Sequence, residues 1–153
     1  MLSGAPTSLI ERARAAIERG DLLSAYDLAR PDGATGTSAE LAYIAVLAMA
    51  RMGETEQAMR LYEMSGLSTA GDVDSQALGA RLLKDHALQD GSGYTGMKLA
   101  AEAYADVYLR SRDPFPAINA ATLNLLAGDV VRASQFAAFA LDAPSVEIGR
   151  AHV

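Results

Sequence analysis

The chain has 153 residues, a length that suits one domain with a sizeable core, and half of its residues are apolar. Its net charge of −6 and its pI of about 4.8 argue against nucleic acid or an anionic membrane as a partner. It contains no Cys, which excludes a disulfide framework, a thiolate metal site and a Cys nucleophile. It shows no membrane-spanning apolar stretch and no signal-peptide pattern, so we expect a cytoplasmic protein.

Apolar residues recur along most of the chain with the spacing of amphipathic helices. Ser, Thr and acidic residues precede these stretches and Gly follows several of them, as is typical of helix starts and ends. The pattern predicts eight helices in four antiparallel hairpins within a single domain, residues 1–153. The hairpins cover about 7–30, 38–65, 73–111 and 115–142, and a tail follows at 143–153.

Three places along the chain refine this pattern. The third helix, predicted at 39–52, is apolar nearly all round, which predicts burial on two sides. In the third hairpin, segment 90–96 contains three Gly and predicts a flexible connector, with the sixth helix beginning at Met97. The seventh helix begins near Pro114, because Pro is tolerated in a first turn.

One short motif occurs three times: a Gly, then an acidic residue, then an Ala five positions after the Gly. The copies begin at Gly20, Gly53 and Gly128. Gly provides the left-handed backbone that closes a helix, and the acidic residue caps the next helix. The first two copies lie about 33 residues apart, close to the period of helical-hairpin repeats. We therefore predict an all-α fold, a right-handed α-solenoid of about four antiparallel helical hairpins.

The second and fourth hairpins carry small and large apolar residues at regular positions of both helices. These are Ala42, Ala45, Val46, Met49, Gly53, Ala58 and Tyr62 in the second hairpin, and Ala117, Ala121, Gly128, Ala133 and Ala137 in the fourth. The pattern resembles a degenerate tetratricopeptide repeat (TPR). This resemblance implies a TPR-like fold that binds other proteins.

Two runs in the second half of the chain carry a narrower resemblance. They are Arg81-Leu82-Leu83-Lys84-Asp85 and Phe115-Pro116-Ala117-Ile118-Asn119-Ala120-Ala121-Thr122-Leu123, the latter followed by Leu126-Ala127-Gly128. This region resembles the TRAFs-binding domain, a TPR-like region of the apoptosis-signal-regulating kinases and of many bacterial signalling proteins. The resemblance implies a regulatory scaffold, often fused to a cyclase, a kinase or a similar effector, and it implies no chemistry for the segment itself.

The strongest polar cluster combines Arg81, Lys84 and Asp85 on the fifth helix with Asn119 and Thr122 on the seventh. Both are first helices of their hairpins, and such helices line the concave face of a solenoid. One hypothesis is that this cluster, with Tyr43, binds a peptide or an anionic group. The structural alternative is that Asn119 and Thr122 hold the third hairpin to the fourth.

Sequence features that would indicate catalysis or a cofactor are weak. His86 and His152 lie far apart in the chain, and a metal site needs three or four converging ligands. The Gly-rich segment 91–96 lacks the Lys and the preceding strand of a phosphate-binding loop. We therefore expect no enzymatic activity, no metal and no cofactor.

These observations favour a non-catalytic interaction or regulatory scaffold that binds a peptide or a neighbouring effector domain on its concave face. Seven residues are predicted to contribute most to partner binding: Tyr43, Leu47, Arg51, Arg81, Lys84, Asn119 and Thr122. Two alternatives stay open. One is a small-ligand sensor that regulates an attached effector, and the other is a structural homo-oligomer formed through exposed Ala-rich helix faces.

Overall fold

The computed structural model of this chain describes residues 8–30 and 38–142. The predicted tail at 143–153, the segment after Arg30 and the predicted helix start at Thr7 lie outside these residues. The chain divides into two compact units, Met1–Ala70 and Gly71–Val153, which we call the first and the second unit.

All regular structure in the described ranges is helical, with no strand, so the predicted all-α class is confirmed. The first unit contains α1 (Leu9–Glu18), α2 (Leu22–Ala29), α3 (Ala39–Arg51), α4 (Thr55–Met64) and a short 3-10 helix (Leu67–Thr69). The second unit contains α5 (Val73–Asp90), α6 (Gly93–Ser111), α7 (Pro114–Leu126) and α8 (Val130–Asp142). Within each unit, helices that follow one another in the chain pack together, and three-residue turns join α1 to α2, α3 to α4 and α7 to α8.

The three Gly-acidic turns share one hydrogen-bond pattern. At the first turn, the amide of Gly20 donates to the carbonyl of Ile17 at 3.0 Å, and that of Asp21 donates to Ala16 at 2.9 Å. The same pair of bonds closes α3 at Gly53 and α7 at Gly128, and all three Gly have left-handed backbone. This is the Schellman motif, which satisfies the last carbonyls of a helix. The acidic residue that ends the motif is also the N-cap of the next helix. Asp21 and Asp129 accept a side-chain capping bond as predicted, whereas Glu54 accepts none.

The third hairpin corrects the predicted flexible connector at 90–96. Helix α5 extends to Asp90 and α6 begins at Gly93, so only two residues separate them. Gly91 and Gly93 both adopt left-handed backbone, with φ of 68° and 66°, which lets the chain reverse quickly. Gly96 lies inside α6, where an added Cβ would lie 2.0 Å from Ser92 Oγ and 3.1 Å from Ala87 Cβ. The glycines therefore build a tight turn with close helix packing.

Small aliphatic side chains dominate the buried part of the first unit. Eight of the 13 residues of α3 are buried, which confirms the burial predicted from its apolar surface. The Ala of the first two Gly-acidic motifs, Ala25 and Ala58, are both fully buried. In the second unit the core includes larger groups, since Tyr104, Tyr108, Leu123 and Phe136 pack together with several Ala.

Among the helices of the described ranges, none combines the length and the apolar character that a membrane crossing requires.

Candidate functional site

Helix α5 presents three charged side chains of the predicted cluster. It begins at the N-cap Asp72, whose carboxylate accepts a hydrogen bond from the amide of Ser75 at 2.9 Å. One turn apart on the helix, Arg81 Nε donates to Asp85 Oδ2 at 3.3 Å, and both side chains are mostly buried. Arg81 and Asp85 thus form an intrahelical ion pair with i, i+4 spacing.

Lys84 lies beside this pair and reaches α7. Its Nζ donates to Asn119 Oδ1 at 3.4 Å and lies 5.6 Å from the ring centroid of Tyr104 on α6. Burial lowers the pKa of the Lys84 ammonium below its usual value, and the nearby Arg81 acts in the same direction while Asp85 opposes it. An ammonium has three donors, and the bond to Asn119 is long. Lys84 therefore keeps hydrogen-bonding capacity for a further acceptor.

Tyr104 lies beneath these charges. Its side chain is 1% exposed, and no donor or acceptor of the described residues pairs with its hydroxyl. Burial raises the pKa of this hydroxyl well above its usual value, and the carboxylate of Asp85 adds to the shift. A buried hydroxyl without a partner costs about 1–3 kcal/mol. We call Arg81, Lys84, Asp85, Tyr104 and Asn119 the Lys84 cluster.

The two predicted residues of α7 have different surroundings. Asn119 receives the Lys84 hydrogen bond and donates its own Nδ2–H to the carbonyl of Phe115 at 3.1 Å. Thr122 is exposed, and its hydroxyl donates to the carbonyl of Ile118 in its own helix at 3.0 Å. The structure therefore brings Asn119 to Lys84, as both the binding hypothesis and the structural alternative require, whereas Thr122 bonds within α7.

The other three predicted contact residues belong to α3 of the first unit. Tyr43 and Arg51 are half-buried. Leu47 is 4% exposed, so its side chain offers almost no surface to a partner. The physical reason is that α3 is buried on nearly all sides, which leaves no free apolar face on this helix. Leu47 is therefore removed from the set of candidate contacts.

His86 is a partly exposed residue of α5, and its Nε2 lies 2.8 Å from Asp90 Oδ2. His152 lies outside the described residues. Within 8–30 and 38–142, no group of three His, Cys, Asp or Glu side chains is placed to hold a metal ion.

A second polar network joins α6 to α7 and α8, and the sequence did not indicate it. Lys98 Nζ donates to Asn124 Oδ1 and to Asp129 Oδ2, both at 2.7 Å. Glu102 lies 3.6 Å from Lys98 and accepts a hydrogen bond from Arg132 at 2.9 Å. We call these five residues the Lys98 network. Lys98 and Glu102 have the i, i+4 spacing of an ion pair, and this spacing is the one signal that could have found the network.

Each of the two networks contains a hydrogen bond from a Lys to an Asn. The chain contains only two Lys and two Asn. Lys84 donates to Asn119 and Lys98 donates to Asn124, and both Asn lie on α7. Each Asn also donates to the carbonyl four residues before it in α7. Helix α7 therefore receives one hydrogen bond from a Lys of α5 and one from a Lys of α6.

Comparison with known protein families agrees with this architecture. The family model described as Tetratricopeptide Repeats-Sensor (TPR-S) matches residues 11–124, which is most of the chain. The chain belongs to the TPR-S family. The TPR-like helical repeat fold predicted from the sequence is thereby confirmed. The family match includes the whole Lys84 cluster and ends within α7, before α8. Neither the curated proteins nor the solved structures give a match.

Proposed function

We propose that this chain is a non-catalytic interaction module that binds a peptide or a neighbouring effector domain through the Lys84 cluster. The observation that carries the proposal is the half-buried Lys84 ammonium, which keeps free donor capacity and lies over the ring of Tyr104. A backbone carbonyl or a carboxylate of a partner would complete the donors of Lys84. Such a charge-assisted hydrogen bond is stronger than a neutral one, and it gains further strength where water is excluded.

Three observations support this role. TPR-type domains generally mediate protein interactions, and the family description adds a sensor role. The resemblance to the TRAFs-binding domain involves the runs that contain Arg81, Lys84 and Asn119, and it favours a regulatory scaffold with an attached effector. Tyr43 and Arg51 of α3 are partly exposed, and we propose them as contact residues of the first unit by itself. Thr122 is exposed and is kept as a peripheral contact.

The experiment uses a peptide selected from a random displayed library on the full chain. Binding of that peptide is then measured by isothermal titration calorimetry for the wild type and for Arg81→Ala, Lys84→Ala and Asn119→Ala. The proposal expects each variant to weaken binding about tenfold or more. Arg12→Ala is the matched control, because Arg12 is an exposed arginine of α1 in the first unit.

Thermal melting of the same variants separates binding from folding. If Asn119→Ala lowers the melting temperature and leaves peptide affinity unchanged, the cluster has only the structural role of joining α5 to α7. If Arg12→Ala weakens binding as much as Lys84→Ala, the peptide binds elsewhere.

A small-ligand sensor is the second candidate function, and the family description favours it. In this case a metabolite would bind at the Lys84 cluster and bias an attached effector. A thermal-shift screen of metabolites tests this candidate: a compound that stabilises the wild type and not Lys84→Ala supports it. We also propose that this chain binds no cofactor. The same screen tests this proposal, because a cofactor that raises the melting temperature of the wild type would contradict it.

A structural homo-oligomer is a further alternative, because α8 exposes Ala137, Ala138 and Phe139. Light scattering that shows a monomer at all concentrations would remove it. We propose that the module is cytoplasmic and has no catalytic activity, consistent with a role in binding alone.

A further inference from the structure

The charged residues that line one groove of the first unit are positive, whereas the chain as a whole is negative. The groove lies between α2, α3 and α4, far along the sequence from the Lys84 cluster, and has a volume of about 510 Å³. Ligand pockets in proteins usually have volumes of about 300–1,000 Å³. The groove is therefore large enough for a small organic molecule.

The rim of this groove carries two arginines. Arg30 ends α2 and Arg60 lies on α4, and no carboxylate belongs to the described residues that line the groove. Among the residues that the structure describes, none forms an ion pair with the guanidinium of Arg30. Arg60 Nη1 lies 4.0 Å from Glu56 Oε2, at the limit of an ion pair, and both side chains are mostly exposed. Two weakly compensated guanidinium groups thus face one groove of a chain whose net charge is −6.

The floor of the groove is apolar. Met49 of α3, which is 7% exposed, lines the groove together with Tyr26 and Leu61. Met64 at the edge is highly exposed. Methionine side chains are flexible and polarisable, so they adapt to ligands of different shapes. The tyrosine ring offers a flat surface on which an aromatic group can stack.

These observations point to one class of ligand. We infer that this groove, which we call the arginine groove, binds a small organic anion with an aromatic or branched apolar body. The apolar body lies on Met49, Leu61 and Tyr26, and the anionic group accepts hydrogen bonds from Arg30 and Arg60. Guanidinium groups suit this role because their planar donors match the geometry of carboxylates and phosphates.

A second groove differs from the arginine groove because its charged residues already pair with one another. This groove lies beside the Lys98 network, is lined by residues of α6 and α8, and has a volume of about 760 Å³. Its wall contains Lys98, Glu102 and Asp129, and these charges already pair with one another at 2.7 Å and 3.6 Å. A charged ligand there would have to displace an existing partner. The arginine groove requires no such displacement.

The test uses three probes that share one aromatic body and differ in charge: 2-naphthoate, 2-naphthol and 2-naphthylmethylammonium. Their binding to the full chain is followed by two-dimensional amide NMR titration. We expect 2-naphthoate to bind about tenfold or more tightly than 2-naphthol, and the ammonium probe not to bind. The amide shifts should be confined to α2, the second half of α3, and α4.

Substitutions locate the anion. Arg30→Gln and Arg60→Gln should each weaken 2-naphthoate binding several-fold and leave 2-naphthol binding unchanged, because they remove the charge and keep most of the side chain. Glu56→Gln should tighten 2-naphthoate binding, since it frees Arg60 from its weak partner. Arg12→Gln, an exposed arginine outside the groove, is the matched control and should change nothing.

Several outcomes would overturn the inference. Equal affinity for 2-naphthoate and 2-naphthol would reduce the groove to a nonspecific apolar patch. Binding of 2-naphthoate that Arg12→Gln weakens as much as Arg30→Gln would show a diffuse charge effect. A lack of any shift in α2, α3 and α4 with 2-naphthoate at millimolar concentrations would also contradict it. Melting curves of each variant confirm that a lost affinity does not come from unfolding.

Discussion

The first unit buries α3 through alanines and modest aliphatic side chains, whereas the second unit packs α6, α7 and α8 around Tyr104, Tyr108 and Phe136. Small side chains let helices approach closely, but they distinguish one register from another only by shape. In the second unit, the Lys84–Asn119 and Lys98–Asn124 hydrogen bonds add directional contacts between helices. Polar contacts that are satisfied in one arrangement alone disfavour the others. The first unit also has a polar contact between helices, from Arg14 of α1 to Glu40 of α3 at 2.6 Å, but both side chains are mostly exposed. We infer that the second unit, in which Asn124 is fully buried, has the more strictly specified packing.

The largest expected effect is in the aromatic core of the second unit. Phe136 is buried, and its ring lies 6.0 Å from Tyr108 and 5.5 Å from Phe139 between centroids. Phe136→Ala should lower the free energy of unfolding by about 3–5 kcal/mol, because it leaves a large cavity. Urea denaturation followed by circular dichroism measures this loss. Phe139→Ala is the control and should cost clearly less, since Phe139 is 40% exposed.

The Lys–Asn pairs give the next largest effect. Asn124 is fully buried and bonds both Lys98 and the Ala120 carbonyl, so Asn124→Ala should lower the free energy of unfolding by about 2 kcal/mol. Asn119→Ala should cost less than about 1 kcal/mol, because Asn119 is less buried and its bond to Lys84 is longer. Denaturation curves of the two variants compare them directly. The reverse order would contradict our view that the Lys98 network specifies the packing of the second unit.

The Gly-acidic turns are common to both units and should respond alike. Gly53→Ala and Gly128→Ala each force a Cβ into left-handed backbone at φ of 86° and 82°, and an added Cβ meets nothing within 4 Å at either site. Each substitution should therefore cost about 1–2 kcal/mol. Thermal or urea unfolding provides the measurement. A much larger cost at one turn would show that the two turns differ in more than backbone conformation.

Among the described residues, each unit buries one hydroxyl without a partner, Thr55 in the first and Tyr104 in the second. Thr55→Val and Tyr104→Phe remove the hydroxyl and keep the shape of the side chain. Both should raise the free energy of unfolding by about 1 kcal/mol. If Tyr104→Phe also weakens binding of the selected peptide, the hydroxyl serves the proposed site. Loss of stability in either variant would mean that the hydroxyl has a partner in solution.

The smallest effect concerns acid stability. Hydrogen bonds from Lys98 and Arg132 hold the pKa of Asp129 below its usual value of 3.8, and bonds from Ser24 lower that of Asp21. A carboxylate with a lowered folded-state pKa stabilises the fold at pH above 3.8, and this contribution disappears as the pH falls through the lower, folded-state pKa. Melting temperatures recorded from about pH 6 down to about pH 2 should therefore fall below about pH 4.

Asparagine substitutions assign this acid sensitivity. Asp129→Asn should flatten the decline more than Asp21→Asn, because Asp129 also loses the ion pair with Lys98. An unchanged pH profile in Asp129→Asn would show that other carboxylates cause the decline.

Much of the fold could be predicted from short-range patterns in the sequence. Helix periodicity and the Gly-acidic motif depend on residues within one or two turns of each other, so the hairpins at these turns could be read directly. The prediction of a flexible connector at 90–96 was wrong. It was made because three Gly in seven residues are typical of a flexible loop. Their actual role depends on the close approach of α5, seen at Ala87 and Gly96, which no local pattern reports.

The candidate site was less predictable, because it depends on contacts between distant residues. Arg81 and Asp85 are four residues apart in one helix, so their pairing depends on local spacing alone. The Lys98 network joins residues up to 34 positions apart, from Lys98 to Arg132, and needs the register of α6 against α8. Leu47 was predicted to contact a partner but is buried, because the sequence of an all-apolar helix does not indicate which side, if any, stays exposed.

The Schellman turns have a consequence for how the length of this protein can vary. In each turn the acidic residue both ends the Schellman motif and is the N-cap of the next helix. The turn therefore contains no residue beyond those that these two roles require. One inserted residue would rotate the following helix by about 100° and move its buried Ala away from the core. These turns therefore act as fixed-length spacers that should tolerate substitution far better than insertion. Loop grafts and length polymorphism should avoid all three.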